Sequence, residues 1–175
     1  MLPGYVSQTG IGRSPIWFPD RFQDPFSIGV GCTLLSGAAT FNIEHSFEGT
    51  DLIIQIPWAV PAGQTRIYLP NLPSAPIMAI GRPVVDLTTS AAIPAGATVT
   101  AFDASSITLS AAVAGGGILA GDRISFLSWQ ILAGITGATA NATGAYSAPV
   151  RALSLNITAG TGTVIAEFIQ ASNAP

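Results

Sequence analysis

The run PVRALSLNITAGTGTVIAEFIQ, residues Pro149 to Gln170, decides the fold class. Leu153, Leu155 and Ile157 alternate with Ser154, Asn156 and Thr158. A glycine- and threonine-rich cluster follows, and then Val164, Ala166 and Phe168 alternate with Ile165, Glu167 and Ile169. Successive side chains of a strand point to opposite faces, so this period of two reads as strand, turn, strand. Leu153, Leu155 and Ile157 fall on one face, with Ser154 and Asn156 on the other. A hairpin patterned in this way needs an apolar surface to lie on.

The N-terminal part of the chain supplies one. Ile28 to Leu35 reads as a strand, Ser36-Gly37-Ala38 as a turn, and Thr40 to Phe47 as the returning strand, with Phe41, Ile43, His45 and Phe47 sharing a face. Phe41, Ile43 and Phe47 are the expected cover for the last strand pair, so the first and last pairs should build the core. Arg151, the one charge at the entrance of the C-terminal pair, is expected to anchor to a carboxylate such as Glu44.

Between these pairs, Pro57, Pro61, Pro70, Pro73 and Pro76 break the chain into edge strands and loops. Short strands are expected at Thr65 to Leu69, Ile77 to Ile80 and Val84 to Leu87. Thr98 to Phe102 and Ile107 to Ser110 form a hairpin joined by Asp103 to Ser106. Asp122 to Leu132 carries a further strand with Ile124 and Phe126 on one face, and Ala133 to Ser147 reads as loop. No long apolar period of 3.6 residues occurs. The chain is therefore expected to be all-β, an antiparallel sandwich of the jelly-roll kind with an inserted hairpin region.

Residues 1–26 read as an extended arm preceding a single sandwich domain over residues 27–175. Pro3, Pro15, Pro19 and Pro25 exclude a helix there, and the large aromatics of such a segment need a surface to bury against. That surface is either the arm's own domain or a neighbouring subunit. The candidate interface residues are Tyr5, Trp17, Phe18, Arg21 and Phe22.

Composition points the same way. Apolar residues make up 49% of the 175 and charged residues only 9%, against about 25% in ordinary globular domains. A surface so poor in charge is expected to be covered by other copies or by partners. All six basic residues are arginine, and the net charge is −3. Nucleic-acid binding therefore has little electrostatic basis. The best candidate for a membrane span, Ala104 to Gly121, is interrupted by Ser105, Ser106, Thr108, Ser110 and three consecutive glycines, so no membrane association is expected. No basic region followed by an apolar one opens the chain. Secretion is therefore not expected, and the Asn141-Ala142-Thr143 and Asn156-Ile157-Thr158 glycosylation patterns read as chance matches.

Chemistry has few candidates. Cys32 and His45 are the only cysteine and histidine, and a Cys–His pair on adjacent strands is conceivable, but no third group to orient it is evident. Phosphate-binding glycine loops are absent from the sequence, and the close carboxylate pairs Asp20/Asp24 and Glu44/Glu48 fit no calcium-loop spacing. Neither catalytic residues nor a cofactor nor a metal are expected. A carbohydrate-binding module would use Trp58, Trp129 and Tyr68 as stacking platforms.

Two segments carry a resemblance. FQDPFSIGVGCTLLSGAATFNIEHSFEGTD, Phe22 to Asp51, and GAYSAPVRALSLNITAGTGTVIAEFIQA, Gly144 to Ala171, resemble a family of small β-sandwich structural proteins of tailed-bacteriophage virions. The matching elements are Asp24-Pro25-Phe26, Glu44-His45-Ser46-Phe47 and the run from Pro149 to Ala171. The chain departs from the family pattern at Ser154, where arginine is usual, and at Glu48-Gly49, where an acidic pair is usual. The resemblance implies a virion component without enzymatic activity. It favours a capsid decoration, or cement, protein that clamps major capsid subunits and forms a homo-oligomer; a tail, neck or fibre-associated protein is the alternative. It also implies that the middle of the chain, about residues 84–127, elaborates a smaller sandwich.

Overall fold

The computed structural model describes residues 2–20, 22, 26–49, 52–69, 79–89 and 92–171. Fourteen strands make up the described structure. In chain order they are β1 (Leu2–Thr9), β2 (Gly12–Arg13), β3 (Ile28–Ser36), β4 (Ala39–Ser46), β5 (Ile53–Gln55), β6 (Arg66–Tyr68) and β7 (Val85–Asp86). There follow β8 (Val99–Phe102), β9 (Ser106–Leu109), β10 (Arg123–Ser125), β11 (Gln130–Ile131), β12 (Ala142–Tyr146), β13 (Ala152–Gly160) and β14 (Thr163–Gln170). The protein is all-β, and every pairing is antiparallel. The chain divides into two units, Met1–Glu48 with Trp129–Pro175, and Gly49–Ser128. The middle of the chain thus separates from Gly49 onward, well before residue 84.

The first unit is a sandwich of two four-stranded sheets, ordered β1-β14-β3-β12 and β11-β4-β13-β2. Their inner faces share one core. Val30, Cys32, Val164 and Phe168 come from the first sheet, and Phe41, Ile43, Leu153, Leu155 and Ile157 from the second. The face read for Leu153, Leu155 and Ile157 is the buried one, and all three are fully enclosed.

The connections differ from the sequence reading. β3 and β4 do not pair with each other, and neither do β13 and β14; each pair is an arch whose two strands lie in opposite sheets. Both strands of each pair carry an apolar face, and an arch turns those faces toward one another across the sandwich, whereas a hairpin leaves them side by side. Phe41 and Ile43 consequently sit beside Ile157 and Leu155 in the same sheet, and the opposing layer is β3 with β14. Phe47, expected in the core, is half exposed.

The two arches meet at their turns. The Ala38 carbonyl accepts the N–H groups of Thr161 at 3.1 Å and Gly162 at 2.9 Å. A Cβ on Gly160, which has φ +93°, would lie 2.2 Å from the Ala38 oxygen, and one on Gly162 would lie 2.6 Å from the Ser36 oxygen. Glycine is required at both positions because another backbone occupies the space of the side chain.

The N-terminal segment belongs to this sandwich. β1 pairs with β14 over all eight residues, β2 pairs with β13, and Trp17 bridges to Leu153. Trp17 stacks on Phe168 with ring centroids 5.1 Å apart, and the Gln170 side chain accepts the Asp20 N–H at 2.9 Å. Of the two surfaces open to the extended arm, its own domain is the one it takes: it is an edge strand and a strap, held because β14 offers it an unpaired row of backbone donors and acceptors. The strap extends the second sheet at the edge of β13, and its Arg13 side chain reaches across the outer face to Glu44. Arg13 donates to Glu44 through both Nε, at 3.0 Å, and Nη2, while Asn156 donates to the other Glu44 oxygen at 2.7 Å. Arg13, not Arg151, is thus the partner of Glu44, because the register sets Arg13 opposite Asn156 and Glu44 opposite Ser154, away from Arg151. The Arg13 guanidinium also lies 5.0 Å from the centre of the Trp129 ring.

A stretch read as loop contains a strand: Ala142–Tyr146 is β12 and pairs with β3.

The second unit holds two three-stranded sheets, β5-β10-β7 and β6-β9-β8. The expected hairpin is β8 and β9, and its turn is closed by Asp103, whose carboxylate accepts the Ser105 N–H at 2.8 Å and the Ser106 hydroxyl at 2.8 Å. Ile67, Val99, Ile107, Ile124 and Phe126 are buried in this unit. Of the strand expected at Ile77 to Ile80, residues 77–78 lie outside the described residues, and Ala79 and Ile80 instead enter a turn in which the Ala79 carbonyl accepts the Arg82 N–H at 3.2 Å.

Replacing Gly160 by alanine should cost about 3 kcal/mol, combining left-handed strain with overpacking. At Gly137, with φ +59° and nothing within 4 Å of an added methyl, alanine should cost only about 1 kcal/mol. Urea unfolding of the two variants measures the difference, and equal losses would remove the turn contact as its cause.

Candidate functional site

The strongest candidate is the outer face of the β1-β14-β3-β12 sheet. Three rungs cross it. Pro3, Ile169, Gly29 and Ala145 form the first, Tyr5, Glu167, Gly31 and Thr143 the second, and Ser7, Ile165 and Thr33 the third. Tyr5 is 70% exposed and Ile169 44% exposed, and Pro3, Tyr5, Ile165, Glu167 and Ile169 line a shallow cavity of about 500 Å³. Glu167 is the only charge on these rungs and has no ion pair among the described residues. The opposite faces of the same strands carry Val6, Val30, Val164, Ala166 and Phe168 in the core, so β14 is apolar on both sides.

Sequence reading named Tyr5 but not the residues beside it. The signal was available in Val164-Ile165-Ala166, followed by Phe168-Ile169. An apolar run with little alternation marks a strand that meets apolar surroundings on both faces.

The other candidate interface residues divide. Phe18 and Phe22 are exposed, Trp17 is committed to Phe168, and Arg21 lies outside the described residues. Of the three possible stacking platforms, Trp58 and Tyr68 are more than half exposed, with the Arg66 guanidinium 5.1 Å from the Tyr68 ring centre. Trp129 is partly buried beneath Arg13.

The Cys–His idea finds no support in the geometry. Cys32 and His45 lie on strands of opposite sheets, and burial pushes the thiol up to about 12, which keeps it protonated at neutral pH. His45 is also buried. Its Nδ1 is 3.2 Å from the Tyr146 hydroxyl, and desolvation holds its pKa below 6.5 despite a hydrogen bond with the Gln130 side chain. The arrangement suits a packed neutral imidazole.

In the second unit Asp86 and Asp122 are both buried and share Thr89, which donates its N–H to Asp86 at 2.9 Å and its hydroxyl to Asp122 at 2.9 Å. Desolvation raises the Asp86 pKa, and the charge of Asp122 adds to the rise. Among the described residues no third metal-ligating side chain joins them. Comparison with protein-family models, curated proteins and solved structures gives no match.

His45 provides a test of its own. The unfolded chain takes up the imidazole proton near pH 6.5 and the folded chain only below it, so stability should be complete above that value and fall as pH drops through it. Melting temperature measured from about pH 7.5 to about pH 5.5 should show the decline, and His45→Gln should flatten it. An unchanged slope in the variant would assign the pH dependence elsewhere.

Proposed function

We propose that this protein is a structural component of a bacteriophage virion, a capsid decoration protein that stabilises the head by binding major capsid subunits. The observation that carries the proposal is the exposed, apolar outer face of the β1-β14-β3-β12 sheet, with a single carboxylate on its three rungs. Contiguous apolar surface of this kind marks a protein contact. The low charge of the whole chain and the resemblance of its first and last strand pairs to virion structural proteins support the same reading. Homo-oligomerisation on the particle belongs to the proposal, as does localisation in the virion. No enzymatic step is included: Cys32 and His45 are packed in the interior.

A second reading, a tail or fibre-associated protein that binds host carbohydrate, is favoured by the exposure of Trp58 and Tyr68. Aromatic rings open to solvent, Tyr68 with Arg66 beside it, are suited to sugar stacking.

Particle incorporation tests the first reading. Because Leu2–Thr9 is an integral strand, the test uses point substitutions on its exposed face. The Tyr5→Ser/Ile169→Ser double variant should fold, remain in solution and disappear from purified particles. Incorporation at the level of the unaltered protein would overturn the reading. Loss of glycan-array binding on Trp58→Ala would favour the second.

A further inference from the structure

Two features of the candidate face are not explained by packing among the described residues. Glycine inside a strand weakens it, and it occurs where a bulge forms or where another backbone approaches closely. Gly29 and Gly31 lie in the first half of β3 with no register shift beside them. A Cβ on Gly31 would meet nothing within 4 Å, and one on Gly29 only the Ile169 carbonyl oxygen at 3.9 Å. Internal packing therefore does not demand either glycine, in contrast to Gly160 and Gly162. Next to Gly31 on the central rung stands Glu167, exposed and unpaired among the described residues, with Ile165 and Ile169 two positions to either side along β14.

We infer that the face receives a segment of another protein whose backbone lies over Gly29 and Gly31 and whose arginine or lysine, set among apolar side chains, pairs with Glu167. Charge selects this occupant over a second copy. A two-fold pairing of the face through its centre would set Glu167 against its own mate, and like charges directly opposed repel. Area points the same way. Three rungs on four strands cover on the order of 400 Å², about half of what each partner contributes to a standard interface. That is small for a free-standing dimer and sufficient for one contact among several on an assembled surface.

The inference rests on the docking role proposed above, and two measurements separate them. In the particle assay, Glu167→Gln and Gly31→Val should both lose incorporation, as the Tyr5→Ser/Ile169→Ser variant does. Loss in the Tyr5/Ile169 variant with full incorporation of the other two overturns only the chemistry assigned here. In solution, a random peptide library displayed on yeast and selected against the unaltered protein should enrich peptides with an arginine or lysine flanked by apolar residues. Glu167→Gln should weaken the enriched peptides about tenfold. Gly31→Val should abolish their binding while raising the melting temperature, because a β-branched residue replaces a strand glycine. That opposite movement of stability and binding excludes misfolding as the cause. Enrichment of peptides without a basic residue, no enrichment, or binding unchanged in both variants overturns the inference. So does a dimer in light scattering that Gly31→Val converts to monomer, which would put a second copy on the face.

Discussion

The sandwich depends on the contact between two turns. The Ala38 carbonyl of the β3–β4 arch accepts both N–H groups that follow Gly160 in the β13–β14 arch, and two glycines leave the space for this approach. An arch places its two strands in different sheets, so neither strand can satisfy its backbone groups against the other. Stacking a second arch on the first resolves this: β4 pairs with β13, and β3 with β14. The apolar alternation of all four strands then points into one core.

Once the arches are joined, each sheet has open edges, and the two sheets are finished differently. Beside β13, the strap of β2 and Ser14 adds backbone pairing, and its Arg13 side chain joins a polar layer on the outer face. Glu44 is satisfied there by Arg13 and Asn156, and Ser154 is packed against Ser14. Removing one partner of such a buried pair leaves a desolvated charge, so the layer makes the register of the strap specific as well as tight. On the other sheet β1 and β12 fill the edges, but no described segment covers the outer face. The contrast is chemical: polar groups that satisfy each other on one side, apolar side chains and bare glycine backbone on the other.

The same asymmetry separates the enclosed groups from the exposed ones. Cys32, His45 and Tyr146, the groups with nucleophilic or acid–base potential, are held inside, where desolvation keeps thiol and imidazole neutral. Glu167, Tyr5, Ile165 and Ile169 project outward from strands whose inner residues do the packing. The function we propose is accordingly one of contact, through side chains that the sheet beneath them holds outward.

Much of this was legible in the residues. The period of two in Pro149 to Gln170 and in Ile28 to Phe47 assigned the all-β class, the strands and their buried faces, because side-chain alternation is a local property of an extended backbone. That the first and last strand pairs build one core was visible there too. Partnering was not. Whether a Ser-Gly-Ala turn makes a hairpin or an arch depends on which other strand arrives to take the free backbone groups, and that strand lies more than a hundred residues away. β12 is hidden for the same reason: its Ala-Thr-Gly-Ala-Tyr sequence has little strand propensity and becomes a strand because the edge of β3 is open to it. The proline-marked N-terminus likewise takes its place as β1 through its pairing with β14. Sequence alone determined which faces are apolar; the tertiary structure decided which are buried, because hydrogen-bond partners in a sheet are set by segments distant in the chain.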